Sequence, residues 1–60
     1  MKMEDFKIGD VVTLKSGGHK MTVESFLKEY NRVICIWFDD FKIKRGDSFE
    51  PECLIISKVD

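Results

Sequence analysis

The sequence predicts a small all-β domain, a closed or nearly closed barrel of about five short strands. Three observations carry that expectation. Apolar and β-branched residues recur in short runs rather than at helical spacing. Gly and Asp clusters punctuate those runs at near-regular intervals. At 60 residues the chain is one domain, read as a single unit over 1–60 with its core in about 6–58. A domain this small buries only about 60% of the surface its unfolded chain exposes, and closing the sheet spares it exposed edges.

The elements follow in order. Gly9-Asp10 marks a turn before "VVTLK", Val11 to Lys15, a β-branched run. "SGG", Ser16 to Gly18, is the strongest turn signal, because glycine takes positive φ without steric penalty. "HKMTVESFLK" then alternates, with Met21, Val23 and Ser25 on one side and Thr22, Glu24 and Phe26 on the other. For "VESFLKEYNRV" a strand is preferred to a helix: Phe26, Tyr30 and Val33 fall partly at helical spacing, but Met21, Ser25 and Lys28 make no apolar stripe. Asn31, a residue that tolerates the left-handed conformation, breaks the chain before "RVICIWF". Asp39-Asp40 ends that strand, "FKIKRGDSF" returns antiparallel to it, and Pro51 stops the return because it has no amide to donate. "RGD", Arg45 to Asp47, reads as a Gly-centred turn or bulge, and "CLIISKV" supplies the last strand.

The expected core is Val12, Leu14, Met21, Val23, Val33, Cys35, Trp37, Phe49, Leu54 and Ile56. Trp37 should matter most, with Trp37→Ala costing roughly 3–5 kcal/mol. The strand Arg32 to Phe38 carries a second apolar face of Ile34, Ile36 and Phe38. In a small soluble domain that face needs a cover, either a partner or a terminal segment such as Met1 to Phe6 or the last strand.

Several chemistries are disfavoured. Ten basic and eleven acidic residues give a net charge of −1, without global attraction to nucleic acid or anionic lipid. His19 is the one histidine, and with Cys35 and Cys53 it makes too few ligands in paired spacing for structural zinc. No metal or other cofactor is expected. "MKMEDFKIGD" has no continuous apolar stretch of the secretory kind, so a cytoplasmic protein with reduced thiols is expected. "KSGG" lacks the order of a phosphate-binding loop. Cys35 and His19 are the one available nucleophile pair, but Cys35 sits in the most apolar run, where burial makes a thiol inert. A non-catalytic protein is therefore expected, with no evident small-molecule substrate.

The ordered motifs "FKIGDVVTLKSGGHKMTV", "CIWFDD" and "FEPECL" resemble the YodC-like family of small bacterial proteins, from about Phe6 to Ile56. The resemblance implies a five-stranded SH3-like β-barrel and implies no activity. His19 stands where many relatives carry proline, which should loosen the turn slightly. Ile36 occupies a position often polar in relatives, which implies that it points outward and that Cys35 and Trp37 face the core.

Two functions follow as expectations. The first is a binding module that self-associates or docks on a protein through Ile34, Ile36 and Phe38, with Tyr30 and Phe41 at the rim. The alternative is nucleic-acid binding through Lys20, Lys42, Lys44 and Arg45, with both lysines of "FKIKR" on one face beside Phe41. Asp39, Asp40 and Asp47 nearby oppose that alternative.

Overall fold

Five antiparallel strands form one sheet: β1 (Val11–Leu14), β2 (Met21–Leu27), β3 (Arg32–Phe38), β4 (Lys44–Phe49) and β5 (Leu54–Ile56). Their spatial order is β4-β3-β2-β1-β5. The computed structural model describes residues 2–57, so the end of the expected last strand lies outside the described residues. Single 3-10 turns sit at Met3–Asp5, Lys28–Tyr30 and Pro51–Cys53. Asn31 takes the left-handed conformation (φ 53°, ψ 48°) and reverses the chain between β2 and β3.

The sheet has to curl. β4 and β5 stand at opposite ends of the order, yet only residues 50–53 connect them. In a flat sheet they would be four spacings apart, about 19 Å. A link that is mostly a 3-10 turn rises only about 2 Å per residue and cannot span that distance. Pro51 opens the turn and is itself buried, so it ends β4 and also helps fix the curl, which stops short of pairing β4 with β5.

Phe6, Val12, Met21, Val23, Val33, Cys35 and Leu54 are buried inside the curl. Met3, Leu14, Phe26, Trp37, Phe49 and Ile56 pack around them. All ten expected core residues are in this set. Each fully buried large side chain contributes on the order of 1.5–3 kcal/mol. Trp37 is only half-buried, tilted against Phe49 with ring centroids 6.1 Å apart, so Leu54 and Val12 take the central place expected of it.

Phe26 departs from the alternation pattern. Val23 pairs with Cys35 while Ser25 pairs with Ile34, so Glu24 is an extra residue, a β-bulge. One inserted residue reverses the facing of everything that follows. Phe26 therefore lands opposite buried Val33 and joins the core, instead of pointing outward with Thr22.

"RGD" is also not a turn. Arg45, Gly46 and Asp47 run through the middle of β4, opposite Trp37, Ile36 and Cys35. A β-carbon at Gly46 would lie 3.4 Å from Ile36 Cγ2, in contact with it.

Candidate docking surface

Alternation along β3 sends Val33, Cys35 and Trp37 inward and Ile34, Ile36 and Phe38 outward. The N-terminal segment does not cover the outward set: Met3 and Phe6 pack against the interior core, and Met1 lies outside the described residues. β5 does not cover it either, because it pairs with β1 on the far side of β2. Ile34 and Ile36 are still half-buried, sheltered by neighbours on their own sheet. Lys44 Nζ and Glu24 Oε2 approach to 3.9 Å. β3 lies between their strands, so this pair reaches over the outer face near Ile36.

The open part of the surface is at the β3–β4 end. Phe41 is 83% exposed, Phe38 64% and Ile43 51%. Asp39 holds this tip in one shape. Its Oδ1 accepts from the amides of Phe41 (2.8 Å) and Ile43 (3.0 Å), and its Oδ2 accepts from Arg45 Nε (2.8 Å). The amide of Lys42 closes the turn onto Asp39 O at 2.9 Å. The Arg45 guanidinium first, and then the Ile43 amide, hold the Asp39 carboxyl below the ordinary carboxylate range. The turn thus keeps its anchor into acid in which an unpaired aspartate would protonate. Lys42 is left-handed (φ 60°), which is unusual for a residue with a β-carbon.

Tyr30 is 71% exposed but sits at the opposite end of β3, about 20 Å along the strand from Phe38. The expected rim is therefore divided: Phe41 adjoins Phe38, and Tyr30 does not. Ile43 belongs to the tip and was not anticipated. The signal was available in "DDFKI", because an aspartate that bonds amides two and four residues ahead builds a local turn.

The basic residues are spread out. Lys44 faces Glu24, and Arg45 is bonded to Asp39. Lys20 lies in the β1–β2 loop, and the left-handed backbone takes Lys42 off the strand alternation that was to align it with Lys44.

Cys35 is fully buried, and desolvation pushes its thiol up to about 11. His19 is half-exposed in the β1–β2 loop, 3.9 Å from Asp40. Cys53 is exposed, and both cysteines are free. No group of three or more His, Cys, Asp or Glu side chains among the described residues is arranged to hold a metal. A hollow of about 280 Å³ opens beside Trp37 and Phe49, with Leu14, His19, Met21 and Asp47 around it. No helix among the described residues is long and apolar enough to cross a membrane.

No curated protein and no solved structure matches the chain. A family model described as an uncharacterized small protein, DUF2158, matches residues 7–54. The chain belongs to that family of small proteins.

Proposed function

We propose that this protein is a small, non-catalytic docking module of the YodC-like, SH3-like barrel type. Its contact surface is the β3–β4 tip, with Phe41 as the anchor, Phe38 and Ile43 beside it, and Ile36 and Ile34 continuing the apolar face. The carrying observation is that an 83%-exposed phenylalanine is held on a turn fixed by three hydrogen bonds to one aspartate. A mobile tip could hide such a ring against its own sheet, whereas a rigid one keeps it in water. Rigid aromatic anchors lose little entropy on docking and dominate interface energies. The partner is a protein that offers an apolar pocket.

The test compares capture by tagged wild type, Phe41→Ala and Ile36→Lys. Phe41→Ala should leave stability within about 0.5 kcal/mol and weaken capture of the same partner at least about tenfold. Equal capture by wild type and Phe41→Ala would remove the proposal. A partner retained by Phe41→Ala but lost with Ile36→Lys would move the contact from the tip to the sheet face.

A further inference from the structure

The free edge of β4 is self-complementary, and we propose that two copies of this chain pair antiparallel along it about a two-fold axis at Gly46. β4 is the end strand of the sheet, and Lys44 to Asp47 are exposed. The unused backbone groups can be identified. Asp39 N donates to Ile43 O at 3.1 Å. Hydrogen-bonded and non-bonded pairs alternate along an antiparallel ladder, so Arg45 and Asp47 bond to β3, and Lys44, Gly46 and Ser48 direct their N–H and C=O outward. Ser48 fits this pattern: its amide donates to the Asp47 carboxylate at 2.7 Å, and its carbonyl accepts a long 3.4 Å contact from Arg32.

Centring the pairing on Gly46 puts Lys44 opposite the partner's Ser48 and Gly46 opposite the partner's Gly46. These are the residues whose backbone groups face out, so each opposed pair can exchange two hydrogen bonds. The non-bonded positions, where side chains come closest, then match by chemistry. Arg45 faces the partner's Asp47, Asp47 faces the partner's Arg45, and exposed Ile43 faces the partner's half-buried Phe49. Opposite charges directly across a strand pair stabilise it, and like charges destabilise it. Arg45 engages Asp39 through Nε, which leaves both terminal nitrogens for the incoming carboxylate. Asp47 in turn releases the Ser48 amide to the new ladder. Charged residues on an edge ordinarily deter pairing, and here they deter every register except the one in which each finds its opposite.

This edge shares Ile43 and the Arg45–Asp39 contact with the tip but not Phe41 or Phe38, so sedimentation of the Asp47→Lys variant reads the pairing and capture by Phe41→Ala reads the docking, and the two proposals fail distinguishably. Sedimentation equilibrium of wild type, Arg45→Glu, Asp47→Lys and an equimolar mixture of the two variants tests the pairing, with circular dichroism confirming the fold. Wild type should dimerise, and each variant alone should dissociate at least about tenfold more readily, because like charges then oppose at two positions. The mixture should recover association: the new glutamate meets the new lysine, and the remaining native Asp47 meets the remaining native Arg45. A wild type that stays monomeric to about 1 mM overturns the proposal, since even weak specific interfaces associate there. A dimer indifferent to Asp47→Lys, or a mixture of folded variants that fails to associate, also overturns it. Should Arg45→Glu unfold through loss of its Asp39 contact, amide exchange in the wild type decides. Protection at Gly46 and Lys44 should rise with protein concentration, and its absence in a dimeric sample refutes the register.

Discussion

Raising the pH from about 8 to about 11 stresses the buried thiol of Cys35 in a way that can be measured as stability. In the unfolded chain this thiol loses its proton near 9.0, whereas in the fold burial holds the proton to about 11. Between those values the unfolded state binds fewer protons, so the free energy of unfolding falls as pH rises. The contribution is complete below about pH 9 and lost above about pH 11. At about 1.4 kcal/mol per pH unit it totals on the order of 2–3 kcal/mol, a large share of a small domain's stability. Cys35→Ala removes the titrating group and leaves a sulfur-sized cavity, costing about 1–2 kcal/mol at neutral pH. Urea denaturation of both proteins at a series of pH values isolates the effect, because every other side chain is common to both. The wild-type advantage should shrink through this window and vanish or reverse by about pH 11. A gap that stays constant refutes burial as the control on this thiol. So does native Cys35 reacting with an aromatic disulfide reagent as fast as exposed Cys53, and that result would also reopen a catalytic role.

Leu54→Ala should destabilise by about 3–4 kcal/mol and Trp37→Ala by about 2–3, since Leu54 is fully enclosed and Trp37 lies half open beside the hollow. Denaturant midpoints in the reverse order would contradict that core. Lys42→Gly should stabilise by about 0.5–1 kcal/mol, because glycine takes the positive φ without the β-carbon penalty; a loss of stability would place residue 42 in another conformation. With carboxylates of Glu24 and Asp39 beside Lys44 and Arg45, mixed RNA and DNA should show no retardation at about 0.1 M salt. A shift abolished by Lys42→Glu/Lys44→Glu would instead favour the nucleic-acid role.

The strand runs, the inward set of alternating residues and the turns at Gly9, Gly17, Gly18 and Asn31 were legible in the sequence. Each depends on local chemistry: side chains alternate by strand geometry, and glycine and asparagine accept positive φ. Cys35 likewise declared itself a core residue by its neighbours. Other features depend on which strand lies beside which, and only the tertiary structure decided them. The extra residue at Glu24 is visible only against β3, and it alone turns Phe26 inward. Gly46 resembled a turn until its pairing with Ile36 placed it in the middle of β4. That Lys44 comes within 3.9 Å of Glu24, and that Arg45 bonds Asp39, likewise follows from how β2, β3 and β4 lie together. The division of the outward apolar face into a sheltered middle and an exposed tip has the same origin. Alternation fixes which way a side chain points, but its exposure is set by what the neighbouring strands place beside it.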